Sequence, residues 1–166
     1  MTHELRETLR LHSMWLRDAD GGQRANLAGA DLAGADLAGS NLARANLAGA
    51  NIDGAQLPAF GIPEFGPIRV WKALSDGLLA ELEIPSNARM TASLIGRKCR
   101  ASMAIPLRIV DSAGAQHECG VAQHDGVTEY RIGIPVYPDR YCDDIRVECA
   151  PGIHFFLTRA EAEAWL

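Results

Sequence analysis

From residue 25 onward, a large aliphatic side chain returns at every fifth position: Leu27, Leu32, Leu37, Leu42, Leu47, Ile52 and Leu57. Two positions before each stands a small residue (Ala25, Ala30, Ala35, Ser40, Ala45, Ala50, Ala55), and between the two stands a polar one (Asn26, Asp31, Asp36, Asn41, Asn46, Asn51, Gln56). In an α-helix, leucines five apart would rotate by about 140° at each step and spiral around the axis. In a flat strand they would alternate between faces. The pattern fits a coil in which each five-residue block is one side, with the Leu filling the interior and the Ala or Ser lying beside it. Before the coil, Leu5, Leu9, His12 and Leu16 follow helical spacing with Trp15 alongside, so residues 3–18 are expected to form an amphipathic helix, broken by Asp18-Ala19-Asp20-Gly21-Gly22. After the coil, Pro58, Gly61, Pro63, Gly66 and Pro67 mark an irregular linker. Strands are expected over 78–84, 90–95, 102–110, 128–134 and 145–149. The pair Thr158 and Glu161 forms a capping box, which predicts a short helix at the end.

The blocks read ANLAG, ADLAG, ADLAG, SNLAR, ANLAG, ANIDG and AQL, and on this A(D/N)LXX pattern residues 25–57 resemble the pentapeptide-repeat family. The resemblance implies a right-handed quadrilateral β-helix with four blocks to a coil. Seven blocks then make just under two coils, a stack only about 10 Å tall. The fold class expected is mainly β: a short right-handed quadrilateral β-helix with an N-terminal capping helix and a C-terminal α+β domain. The corresponding partition is 1–22 for the cap, 23–57 for the repeat, 58–67 for the linker and 68–166 for the C-terminal domain. So short a solenoid needs both ends covered, because terminal turns expose backbone and apolar side chains. The N-terminal helix suits one end, and the other must be covered by chain that follows Leu57. A second resemblance rests on residues 152–163, on Arg97-Lys98-Cys99-Arg100-Ala101-Ser102 and on His12-Ser13-Met14-Trp15-Leu16: together they are similar to proteins of phages and prophages in which a further domain follows a short pentapeptide segment. It implies a phage context and no activity.

The chain has 166 residues, 48% of them apolar but only 6% aromatic, and a formal net charge of −5. That balance speaks against a nucleic-acid-binding surface, which needs clustered Lys and Arg, and favours a basic or neutral partner. The charged start, with no apolar leader core, and the absence of any apolar run near ~18 residues point to a cytoplasmic protein with no membrane contact. Cys99, Cys119, Cys142 and Cys149 are widely spaced and are expected to be free thiols. With His117, His124 and His154 they include potential zinc ligands, yet no C-x₂₋₄-C pair occurs, so no metal site is assigned. Cys149 and His154 are the one nearby nucleophile and base, and His154 lies in an apolar run that suits a core histidine. Asp143, Asp144 and Glu148 read as solvated carboxylates, and Gly29, Gly34, Gly39, Gly49 and Gly54 as coil corners, not a phosphate loop. The expectation is a protein that is not an enzyme and holds no cofactor.

For function, the resemblance brings in DNA mimicry, since fluoroquinolone-resistance members of the pentapeptide family occupy the DNA site of gyrase. Here the outward row, Asp31, Asp36, Asn41, Asn46 and Asn51 above all, is the candidate binding surface. Only Asp31 and Asp36 in it are charged, and two coils are short for a topoisomerase. The alternative for the same residues is that they hydrogen-bond the turns of the coil. The leading expectation is a phage-type inhibitor, anti-CRISPR-like or otherwise anti-defence, that binds a host protein and blocks a nucleic-acid-binding complex. The alternatives are a structural or oligomerisation module without inhibitory activity, and a gyrase-binding DNA mimic.

Overall fold

The computed structural model of the protein describes residues 2–58, 62 and 67–166. Of the expected linker 58–67, therefore, only Pro58, Ile62 and Pro67 are described, and Gly61, Pro63 and Gly66 lie outside the described residues. The chain is mainly β with an N-terminal helix and pentapeptide repeats, and it divides into two compact units. One contains Met1–Gly61 together with two later segments, Ser93–Gly96 and Asp144–Cys149; the other contains the remainder.

In the first unit, helix α1 (His3–Trp15) begins at Thr2, whose hydroxyl accepts the Leu5 N–H at 3.2 Å. It stops three residues short of the expected end, where Asp18 turns into the left-handed region at φ 52°. The repeat then returns to register every 20 residues, with parallel bridges joining Asn26 to Asn46, Asp31 to Asn51 and Asp36 to Gln56. Each bridge is a pair of main-chain bonds: Leu27 N–H to Asn46 C=O (2.7 Å) and Asn46 N–H to Ala25 C=O (3.0 Å) on the first side, with the same pattern on the next two. An interval of 20 is four blocks, so each block is one side of a turn. Leu27, Leu32, Leu37, Leu42 and Leu47 are buried, Ile52 and Leu57 half-buried, as the five-residue period requires. Gly29, Gly34, Gly49 and Gly54 take φ between 65° and 68° at the corners. Gly39 does not, whereas Arg44, at the equivalent position of the irregular block SNLAR, is held at φ 62°.

Both ends of the turns are closed. At the first, Leu5 and Leu9 of α1 join the leucine core, Gln23 donates to the Leu11 carbonyl (3.0 Å), and the Ala25 N–H donates to His12 Nδ1 (3.2 Å). Gly22 is required here, because a Cβ would overlap the backbone of Met14 and Trp15. At the other end, the Arg44 N–H donates to the Ile95 carbonyl at 2.5 Å, so Ser93–Gly96 lines the fourth side, on which the repeat's own blocks form no bridge among the described residues. Leu94 and Ile95 pack into the leucine core, and Leu94 N–H bonds in turn to the Ile145 carbonyl (2.9 Å). The Ala50 carbonyl, which faces the place of a further turn, is taken by Arg146 Nη1, and Asp144 grips the same guanidinium through two 2.7 Å bonds.

The second unit holds three small antiparallel sheets. Strands β1 (Ile68–Ala73), β2 (Leu79–Ile84), β5 (Ile105–Val110) and β6 (Gln116–His117) form one in the order β1-β2-β5-β6. Strands β3 (Met90–Thr91), β4 (Cys99–Ala101) and β9 (Ile153–Phe155) form the second, and β7 (Cys119–Val121) with β8 (Glu129–Arg131) the third. Val70, Leu74, Leu82, Ile84, Ile109 and Phe155 are completely buried in its core. Helix α2 (Arg159–Glu163) starts with the expected capping box of Thr158 and Glu161. Two expected strands take other forms, for a common reason. The strand 90–95 ends at Thr91 because Leu94 and Ile95 turn into the leucine core of the first unit, and 145–149 forms no strand because Ile145 does the same.

Truncating Leu37 to Ala should cost about 2–5 kcal/mol, because it is 1% exposed and no neighbour can refill its place without moving the ladder. Replacing Arg146 by Met should cost about 1–3 kcal/mol by leaving the Ala50 carbonyl unpaired. Urea unfolding of the two variants checks both values.

Candidate functional site

Two groups of residues merit description as sites: the outward polar row of the repeat, and a set of titratable side chains inside the second unit. The row is exposed, and its side chains are engaged with the coil itself. Each Oδ1 accepts the main-chain N–H two residues on: Asn26 from Ala28 (3.4 Å), Asp31 from Ala33 (3.2 Å), Asp36 from Ala38 (3.2 Å), Asn41 from Ala43 (3.0 Å), Asn46 from Ala48 (3.2 Å) and Asn51 from Asp53 (3.1 Å). The side chains also bond between turns, Asn46 Nδ2 to Asn26 Oδ1 at 2.9 Å and Asn51 Nδ2 to Asp31 Oδ1 at 3.0 Å. Short Asn and Asp side chains recur at this position because they close a turn on their own backbone. Asn over Asp in the second turn adds an NH₂ donor that the turn above accepts.

Within the second unit, Lys72 on β1 donates to the main-chain carbonyl of His154 on β9 at 3.2 Å, and its ammonium lies 5.4 Å from the centre of the Tyr130 ring. Removal from water lowers its pKa to about 8, against partial compensation from Asp125 and a further push from Lys98. The His154 Nε2–H donates to the Ala150 carbonyl at 2.8 Å. Burial brings its pKa down to about 4, and the charges of Lys98, Lys72 and Arg100 act in the same direction, so the ring is neutral at pH 7. Burial also pushes the Tyr130 phenol well above its ordinary value. Lys98 lies 4.2 Å over the Trp165 ring, and the fully buried Arg100 donates from Nε to the Cys142 carbonyl at 2.6 Å. Asp125, on the turn before β8, is held near 2 by the Thr128 hydroxyl and the N–H groups of Thr128 and Val127. The printed bonds of Lys72, His154 and Arg100 all run to main-chain carbonyls, a mode of attachment that fixes a polar core in one arrangement.

The sequence pointed to His154 but not to its neighbours. A signal was available: Lys72 and Lys98 are the only lysines in the chain, against fourteen arginines, and each faces an aromatic ring. The cysteines are free, Cys99 buried, Cys119 and Cys142 half-buried and Cys149 exposed. Cys149 and His154 fall in different units. Among the described residues, no three His, Cys, Asp or Glu side chains converge as a metal site would need, and no helix is long and apolar enough to cross a membrane.

His12 is the other buried imidazole. Its Nδ1 accepts from Ala25, so the proton is on Nε2, which has no hydrogen-bond partner among the described residues, while the ring stacks on Trp15 at 5.6 Å. Desolvation lowers its pKa, helped by Arg24 and opposed by the nearby Ala43 carbonyl.

Two families match the chain. Residues 59–162 match the family described as a family of unknown function, DUF5758, and residues 24–58 match pentapeptide repeats (8 copies). No curated protein and no solved structure matches it.

The lowered histidines set the acid limb of stability. Unfolded imidazoles take up protons from about pH 6.5, whereas folded His154 does so only near 4. Stability is therefore fully present above about 6.5 and should fall as the pH drops towards 4. At the other limb Lys72 loses its proton near 8 in the folded chain and near 10.5 unfolded, so stability should rise from about 8 until Tyr130, unwilling to ionise, opposes it above about 10. Urea unfolding across this range checks both limbs, and Lys72→Met should abolish the alkaline rise.

Proposed function

The chain belongs to the family of unknown function DUF5758, preceded by pentapeptide repeats, and from that premise we propose that it is a binding protein and not an enzyme, one that acts by occupying the basic surface of a protein partner. The observation that carries this reading is the way the chain's polar chemistry is distributed. The titratable groups inside the second unit are anchored to carbonyls and rings, and the residues left facing solvent sum to an acidic surface on a chain of net charge −5. An acidic surface on a chain without clustered cations selects partners that carry the opposite charge and steers their approach.

In this reading the repeat is a right-handed quadrilateral β-helix of just under two coils; the parallel bridges at 20-residue intervals on three of its sides support it. The more specific form is a phage-type inhibitor in the host cytoplasm that blocks a nucleic-acid-binding complex, with gyrase as one such target. Its support is the net charge and not the row of the repeat, whose Oδ1 atoms are engaged in turns. An oligomerisation module built by end-to-end stacking of coils has less support, since His12 meets the Ala25 N–H at one end and Arg146 meets the Ala50 carbonyl at the other.

The test is capture from bacterial lysate with the full chain immobilised, at low and high salt. The expected result is recovery of a DNA- or RNA-handling protein at low salt and its release at high salt, because exposed charge contacts are screened within about 10 Å at 0.1 M. Recovery of the chain alone, as a multimer, would replace this reading with the oligomerisation module.

A further inference from the structure

Two independent features fall on the same stretch of the second unit. Six large apolar residues are exposed among the described residues, and four of them lie within 127–137: Val127 (79% exposed), Ile132 (40%), Ile134 (55%) and Tyr137 (65%). Scattered single apolar residues on a surface are ordinary, but a concentration of them marks contact with another molecule. The same stretch is acidic. Residues 111–143 carry six carboxylates (Asp111, Glu118, Asp125, Glu129, Asp139, Asp143) and two arginines (Arg131, Arg140), a net charge of −4 out of the −5 of the whole chain. Arg131 pairs with Glu129 at 2.7 Å, His117 with Asp111 at 3.3 Å and Arg89 with Asp143 at 3.8 Å, whereas Glu118 and Asp139 have no ion-pair partner among the described residues.

The local structure presents these side chains firmly. Asp125 closes the turn between β7 and β8, accepting the N–H groups of Val127 and Thr128 at 3.0 Å each, and so projects Val127 at the tip. Beyond β8, the Gly133 N–H bonds to the Pro106 carbonyl (2.8 Å) and Val136 pairs with Ala104 through bonds of 2.8 and 3.1 Å. Ile132, Ile134 and Tyr137 are thereby exposed from a backbone that is tied down on both sides, which limits the entropy lost when they are covered. Strand β8 itself pairs only with β7.

We propose that the β7–β8 hairpin and the segment after it, with Val127, Ile132, Ile134 and Tyr137 as apolar anchors amid Glu118, Glu129 and Asp139, are the docking surface for a basic protein partner. This rests on the binding reading above and moves its contact from the repeat to the second unit. The apolar residues supply the area removed from water, and the carboxylates select lysine- and arginine-rich surfaces over acidic ones.

Zero-length carbodiimide coupling in bacterial lysate tests it directly, because it joins a carboxylate only to a lysine amine that touches it. The probe is the full chain, and the cross-linked peptides are mapped by mass. The expected outcome is coupling of a basic protein at Glu118, Glu129 or Asp139, reduced on the order of tenfold in the variant Val127→Ser/Ile134→Ser/Tyr137→Ser and unchanged in Asp31→Asn/Asp36→Asn. All five positions are exposed, and urea unfolding confirms that each variant keeps its fold. Coupling confined to Asp31, Asp36 or Asp53, and lost in the second variant, would overturn the proposal while leaving the binding reading in place. Absence of any intermolecular coupling to a basic protein would overturn both.

Discussion

Everything in the first unit depends on the main-chain ladder that joins positions 20 residues apart. It is a chain of bonds such as Leu27 N–H to Asn46 C=O and Asn46 N–H to Ala25 C=O, and it brings each leucine above another leucine in the interior. The ladder has a cost that grows in relative weight as the coil shortens. A long solenoid leaves one layer of backbone unpaired at each end out of many, whereas here nearly every layer is an end layer. Buried main-chain donors and acceptors must find partners, so the sequence has to bring in groups from outside the repeat. His12 serves the Ala25 donor, Ile95 the Arg44 donor and Arg146 the Ala50 acceptor. Two of the three come from parts of the chain that follow the repeat by some 50 and 100 residues in sequence. Unit one is therefore not a local product of its own repeats.

That explains which parts of the architecture were legible in advance. The five-residue period revealed the interior, since Leu at one position and Ala two before it is a pattern that only one geometry satisfies. The helix before it was readable from Leu5, Leu9 and His12 at helical spacing, and the last helix from Thr158 and Glu161, because caps and amphipathic faces are local. What was not legible was the closure. Leu94, Ile95 and Ile145 read as strand residues, since a β-branched or aliphatic run looks alike whether it pairs in a sheet or plugs the end of a coil. The strands β1, β4, β7 and β9 were missed for a related reason: Cys99–Ala101, Cys119–Val121 and Ile153–Phe155 have three residues each, too few to show alternation. The polar row was read with both of its meanings open, and the bonds of Asp31, Asp36, Asn41, Asn46 and Asn51 to the turns belong to the structural one.

The two units divide their polar chemistry differently. In the first, polar side chains complete the backbone's hydrogen bonding, and even the buried imidazole of His12 is placed against a main-chain donor. In the second, cations are taken inside and carboxylates are left outside: Lys72, Lys98 and Arg100 are drawn onto rings and carbonyls, while the acidic residues of 111–143 stay at the surface. Sequestering three positive charges makes the exposed face more negative than the composition alone implies.

The way Ile95 and Arg146 meet the last turn also limits how such a repeat can change in length. Each block turns the chain through a quarter of a circuit, so a duplication or loss of one block would bring a different side under the closing segments, with Arg146 reaching for a carbonyl that points elsewhere. Only the gain or loss of four blocks, 20 residues, restores every partner to its place. Slippage among near-identical codons, the usual source of variation in tandem repeats, is thus filtered by geometry: coil lengths in such chains would be sampled in whole circuits, and intermediate lengths would require a redesigned cap.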